Sequence, residues 1–140
     1  MTLDFQDWAW NSPYARCLAK NDTKSIDQLK TMYVNTAEEF LDLGPKLANL
    51  VYGRDIKHVL LLHVGGFETT MLPRLLEILK QRGFKLITLQ EAESDAAYES
   101  DPDIVLNEGG TLLEQMVVAK HLAMAAHSPV PISELEAMCQ

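Results

Sequence analysis

The chain predicts an α/β fold containing a parallel βαβ unit, and three observations carry that expectation. His58-Val59-Leu60-Leu61-Leu62-His63 is a continuous apolar run with polar ends, the pattern of a strand buried on both faces. Met71, Leu72, Leu75, Leu76, Ile78 and Leu79 then recur at helical spacing over about Thr70 to Arg82. Phe84-Lys85-Leu86-Ile87-Thr88 reads as a second strand. Strand, crossover helix and strand make a βαβ unit, which is right-handed in nearly all known cases.

The other elements follow in order. Thr2 to Asn11 reads as a short strand and a loop, with Asn11-Ser12-Pro13 as a turn signal. Asp22 or Thr23 is the N-cap of a long helix. Its apolar positions are Ile26, Leu29, Tyr33, Ala37, Phe40, Leu41, Leu47, Leu50 and Val51. Gly44-Pro45 should kink or break that helix, because Pro45 removes a backbone donor and crowds the preceding turn. Gly53 is a natural stop. Pro73 is expected in the first turn of the crossover helix, where its missing N–H has no partner in any case, and Gly83 supplies the left-handed cap. A short helical turn is expected from Leu89 to Ala97 and a loop from Tyr98 to Gly110. Thr111 caps a helix to about Ala125, with Leu112, Leu113, Met116, Val117 and Leu122 on one side. Ser128-Pro129-Val130-Pro131 breaks it, and Ser133 with Glu136 forms a capping box for a last helical turn. This gives one portion over 1–98, with a long helical insertion at about 22–52, and an acidic loop and helical tail over 99–140.

The 140 residues carry 12 Lys and Arg against 20 Asp and Glu, a net charge of −8. The excess is local. Between Lys85 and Lys120 there is no Lys or Arg, and the gap holds Glu91, Glu93, Asp95, Glu99, Asp101, Asp103, Glu108 and Glu114. The remainder is balanced. Such a distribution offers no electrostatic footprint for nucleic acid or anionic lipid, and no run approaches the roughly 20 apolar residues of a membrane span. Met1 to Trp10 holds Asp4 and Asp7 and does not read as a secretory signal. Cys17 and Cys139 make neither a disulfide framework nor a metal knuckle, and whether they pair stays open.

Two places could carry chemistry. One is Asp4-Phe5-Gln6-Asp7-Trp8, two carboxylates and an indole after a short strand. The other is His63, at the carboxyl end of the apolar run and before Gly65-Gly66. Ligands of parallel sheets bind outside the carboxyl ends of the strands, and a carboxylate beside His63 would keep it protonated as an acid. Bland readings stand beside these. Asp4 and Asp7 could be turn or cap residues, Trp8 and Trp10 packing anchors, and His63 a hydrogen-bonded strand-end histidine. His58 points away from His63 in a strand and reads as a surface or strand-start residue. His121 and His127 lack zinc spacing and read as solvated. Cys17 reads as a half-buried structural cysteine. Gly65-Gly66 lacks the spacing of a phosphate loop.

Asp4-x-x-Asp7-Trp8, followed by a run ending Leu61-Leu62-His63, resembles the last two motifs of the polysaccharide deacetylases, the NodB-type carbohydrate esterases. The stretch from Gly53-Arg54-Asp55-Ile56 through Leu75-Leu76, Gly83-Phe84 and Thr88-Leu89 to Glu91-Ala92 is similar to the closing βαβ of that family's distorted (β/α) barrel. The resemblance covers roughly Leu3 to Tyr98. It implies a partial barrel and a hydrolase that removes acetyl groups from N-acetylated sugars, with a divalent metal, usually zinc, activating water. By the same resemblance His63 protonates the departing amine, Asp7 holds and tunes His63, Leu61 lines the pocket for the acetyl methyl, and Trp8 walls the cleft beside Asp4.

The family's Thr-Phe-Asp-Asp motif, its His-x-x-x-His pair and its Arg- and Tyr-bearing motif do not occur in these 140 residues. The base and the metal ligands are therefore expected upstream of Asp4, with no metal ligands and no cofactor in this chain. The link from Trp8 to Leu60 is also longer than usual, and the long helix fills it. One reading is the C-terminal part of a sugar deacetylase, inactive as this chain alone. Another is a stand-alone binding or self-association module, and a third is a small α/β ligand-binding domain. The expected partners are carbohydrate, by resemblance, and either a second copy or the missing barrel half. Location follows the start: cytoplasmic if Met1 is native, exported if a segment precedes it.

Overall fold

The structure, a computed structural model, describes residues 1–107 and 110–140; Glu108 of the acidic tract and Gly109 of the expected loop lie outside the described residues. Among the described residues six α-helices follow one another: α1 (Asn11–Ala19), α2 (Thr23–Tyr52), α3 (Gly66–Gln81), α4 (Leu89–Glu93), α5 (Leu112–Ala119) and α6 (Ile132–Ala137). Short 3-10 turns cover Asp7–Trp10 and Ala96–Glu99.

Helix makes up 59% of the chain and strand 1%, so the α/β class, the parallel βαβ unit and the partial barrel are overturned in favour of a helical fold. No sheet exists among the described residues. The expected strand His58–His63 makes a single parallel bridge, Leu3 with Leu60. Thr2 and Leu3 N–H donate to Val59 O at 2.9 and 3.1 Å, and Leu61 N–H donates to Leu3 O at 3.0 Å. Val59 to Leu62 are only half-buried rather than covered on both faces. Phe84–Thr88 has no strand at all. The physical reason is that a strand gains its hydrogen bonds only from a neighbour, whereas a helix satisfies its own. Here the neighbour is a few residues at the chain start.

The chain divides into two compact units. The first holds Met1–Asp4, Glu39–Leu61 and Leu86–His127. Its core gathers Leu43, Leu47 and Val51 from α2, Ile56, Ala97, and Leu113, Met116 and Val117 from α5. Leu112 and Leu122 pack against it. α2 runs unbroken through Gly44-Pro45, where a kink or break was expected. Gly44 serves close packing instead, since a Cβ there would come within 2.4 Å of Leu3 Cδ2. The helix stops at Gly53, whose φ is +69°. Thr111 and Glu114 form a complete capping box at the start of α5, but α5 ends at Ala119 rather than near Ala125. His121 adopts φ +53° just beyond it.

Part of the acidic tract is engaged within the fold. Asp95 takes both guanidinium nitrogens of Arg54 at 2.5 and 3.0 Å and the N–H groups of Lys57 and Ala97. The Arg54 bond leads in holding its carboxyl well below the usual range. His58 is not a surface residue: its side chain is largely buried, with Nδ1 3.2 Å from Thr2 Oγ1 and Nε2 3.1 Å from Asp55.

The second unit holds Phe5–Glu38, Leu62–Lys85 and Ser128–Gln140. Asn11-Ser12-Pro13 is not a turn but the first turn of α1, where Pro13 is tolerated because its missing N–H has no helical partner. Asp22 is the N-cap of α2: its carboxylate accepts Ser25 N–H at 3.0 Å and Ser25 O–H at 2.7 Å. α3 begins at Gly66, four residues before the expected Thr70, so Pro73 sits inside the helix rather than in its first turn. Leu72 and Leu76 are exposed, and Phe67 and Glu68 take their place on the buried face. Gly83 at φ +81° closes α3, with Phe84 N–H donating to Leu79 O at 2.9 Å.

α6 has no side-chain cap, so the expected Ser133–Glu136 box does not form. Two other ties hold it. Arg16 donates to the carbonyls of Leu135, Glu136 and Met138, and Cys17 is disulfide-bonded to Cys139, with Cα atoms 5.2 Å apart. No described helix is long and apolar enough to cross a membrane.

Candidate functional site

The second unit is built around an aromatic cluster. Phe5, Trp10, Tyr33 and Phe67 are fully buried. Their rings meet edge to face: Phe5 lies 5.2 Å and Trp10 5.6 Å from Tyr33, and Phe67 lies 5.6 Å from Tyr33. This cluster fixes the 3-10 turn Asp7–Trp10 at its rim. The turn is entered through Gln6, a non-glycine residue at φ +55°. Ala9 N–H closes it onto Gln6 O at 2.9 Å.

That turn brings Asp7 to His63. Asp7 Oδ1 is 2.7 Å from His63 Nδ1, and Asp7 Oδ2 accepts the His63 backbone N–H at 2.8 Å. The two bonds use both carboxylate oxygens and fix the imidazole relative to the main chain. The Asp7 side chain is 0% exposed, whereas that of His63 is 40% exposed. The arrangement is thus a buried carboxylate holding a histidine that reaches solvent. Nδ1 is thus the ring nitrogen held by the carboxylate.

Trp8, in the same turn, is 50% exposed. Leu61 and Asp4 fall in the first unit. Leu61 is half-buried. Asp4 lines a void of about 10 Å³ with Thr2, Leu3, Leu43 and Thr111, which has room for one water and no sugar ring.

Directly behind the Asp7–His63 pair lies a group that sequence reasoning missed. Glu68 is buried near the start of α3. Tyr33 O–H donates to its Oε1 at 2.5 Å, while no donor reaches its buried Oε2. Its carboxyl is pushed up to about 7, chiefly by burial. Asp7 adds to the rise, and Tyr33 and His63 oppose it. Burial and the Glu68 carboxyl together push the Tyr33 phenol well above its ordinary value, so it stays a donor. A signal for Glu68 was present: it shares the helical face of Met71 and Leu75, and an acid on an apolar face is conspicuous. Starting α3 at Thr70 hid it.

The N-terminus of α3 is positioned by Asn11. Its Oδ1 accepts Phe67 N–H at 3.0 Å, and a Cβ on Gly65 would come within 2.1 Å of that oxygen. Glycine at 65 therefore permits the cap that sets Phe67 and Glu68 in place.

Among the described residues no group of three or more His, Cys, Asp and Glu side chains is arranged to hold a metal ion. The residues present do not fit the divalent ion that the resemblance implies. Comparison with protein-family models, with curated proteins and with solved structures finds no match to this chain.

Proposed function

We propose that this chain supplies the proton-donating carboxylate–histidine pair of a hydrolase that removes acetyl groups from N-acetylated sugars, and that it is inactive alone. The observation that carries the reading is the double bond of Asp7 to the ring and the main chain of His63, at 2.7 and 2.8 Å. An amine leaves an amide only if it is protonated as it departs. A carboxylate-paired imidazole that is partly exposed can deliver that proton near neutral pH. Trp8, exposed in the turn that carries Asp7, offers a face on which a sugar ring stacks. The base, the metal ligands and the remaining cleft would come from sequence or a partner that bears the family's other motifs.

The test is a heteronuclear NMR titration of the purified chain with N-acetylated chito-oligosaccharides, beside an assay for acetate. The expected outcome is movement of the His63 ring and Trp8 indole signals with no acetate released. A titration that leaves both signals in place would overturn the reading, and acetate release by the chain alone would overturn its inactivity.

A second reading, a self-associating module without catalysis, is favoured by Val64, which is fully exposed immediately after His63. In that case light scattering finds an oligomer that Val64→Asp dissolves; a monodisperse monomer removes this reading.

A further inference from the structure

We propose that Glu68 is a positioning residue that holds a proton for the Asp7–His63 pair, donating it in a hydrogen bond to Asp7 so that one negative charge, not two, faces the imidazole. This deepens the proton-donor reading and rests on it.

Glu68 is buried at 5% exposure, and its Oε1 is occupied by Tyr33 O–H at 2.5 Å. Its Oε2 is buried with no donor in reach. Asp7, itself fully buried, is among the groups that raise the Glu68 carboxyl. Two facing carboxylates both lack a hydrogen, so they form a bond only by sharing a proton. Asp7 already accepts from the His63 ring and the His63 main chain, so both of its oxygens are engaged. Glu68 has one such bond, from Tyr33. The shared proton therefore belongs on Glu68.

The groups facing Glu68 come from three elements: Tyr33 on α2, Asp7 on the 3-10 turn and His63 after the apolar run. Neutral Glu68 gives Asp7 a further donor and pins its carboxylate in the rotamer that reaches His63. Once Glu68 ionises, that donor is lost and a second negative charge enters the pocket. The added charge holds the imidazolium more strongly and makes it a poorer acid. Titration of Glu68 thus limits the pair from the alkaline side.

The experiment is carboxyl ¹³C and imidazole ¹⁵N NMR of the full chain across the neutral range, for wild type, Glu68→Gln and Asp7→Asn. A glutamine side chain is isosteric with the neutral acid, so Glu68→Gln should keep the amide spectrum of wild type. The expected wild-type result is one glutamate carboxyl titrating near neutrality, with an inflection of the His63 ring signals at the same pH. In Glu68→Gln that carboxyl signal and the inflection both vanish, and the His63 midpoint moves down. A Glu68 carboxyl that titrates in the ordinary range, or a His63 curve unchanged by Glu68→Gln, overturns the proposal. If Glu68→Gln does not fold, the wild-type carboxyl titration decides alone. Asp7→Asn separates the two levels. A His63 curve unmoved by Asp7→Asn defeats the pair itself, whereas one moved by Asp7→Asn but not by Glu68→Gln defeats only the role of Glu68.

Discussion

Asp7 grips His63 twice, through Nδ1 at 2.7 Å and through the backbone N–H at 2.8 Å, from a position with no solvent exposure of its own. The ring is thereby tied to a turn that is 56 residues away in sequence, and its orientation depends on the aromatic cluster that supports the turn. Disturbing Asp7 should be felt in stability as well as in proton transfer.

Asp7→Ala removes both bonds and leaves the half-buried His63 N–H without its acceptor. Hydrogen bonds to a charged group contribute about 1.5–3 kcal/mol each, and the 40% exposed His63 side chain recovers part of that from water. The expected net loss is about 3 kcal/mol by urea denaturation. Loss of under about 0.5 kcal/mol, the range of an ordinary surface change, would show that the pair does not organise the unit.

Glu68 gives stability an unusual slope with pH. Its folded carboxyl sits at about 7 against an ordinary 4.5. Between those values the folded state holds a proton that the unfolded state has lost. The contribution is therefore complete below pH 4.5 and disappears as pH rises through 7, at most about 3 kcal/mol. Asp95 works in the opposite sense. Its carboxyl is held low by Arg54, so its contribution is present above the ordinary Asp value and fades as pH falls below it. Melting temperatures against pH should decline toward neutrality in wild type and flatten there in Glu68→Gln. Asp95→Asn should flatten the acid side alone.

Gly65 and Asn11 should be coupled. Gly65→Ala forces the Asn11 side chain off Phe67 N–H and costs about 1 kcal/mol, the value of a helix cap. Asn11→Ala costs a similar amount for the same reason. Once Asn11 is gone, Gly65→Ala has nothing left to displace. The double variant should then be about as stable as either single one, and strict additivity of the two losses would count against the shared cap.

Reduction of Cys17–Cys139 should loosen the C-terminal end of the second unit. The bond spans 122 residues, and cross-links of that kind contribute typically about 2–4 kcal/mol. Thermal denaturation with and without reductant measures the loss, and Cys17→Ser should reproduce it. Arg16 would still hold the carbonyls of Leu135, Glu136 and Met138. Amide exchange near α6 should therefore rise without reaching the free-chain limit.

Local signals in the chain were readable where the physics is local. Asp22, Gly53, Gly83 and the Thr111 cap act as expected, because a cap is decided by residues within one turn. Gly44-Pro45 misled, since helix α2 is held by the apolar face packed along it, and packing outweighs one missing donor. Ser133–Glu136 misled for a related reason: a real capping pattern was present, but Arg16 and the Cys17–Cys139 bond fix α6 by other means. Glu68 was concealed by a helix start placed four residues late.

The apolar run His58–His63 marks the limit of such reading. Its composition is that of a buried strand, yet whether it becomes one depends on a neighbour elsewhere in the chain. What the sequence by itself determined is the Asp22 and Thr111 caps, the Gly53 and Gly83 stops and most of the amphipathic faces, together with a candidate Asp7 and His63. Only the tertiary structure decided that the fold is helical, that Cys17 meets Cys139, and that Asp7 reaches His63 with Glu68 behind it. The reason is the same in each case. Helix ends and faces arise from contacts within a few residues. Strand pairing, disulfides and buried carboxyl pairs arise from contacts between distant ones, where burial rather than local preference sets the energy.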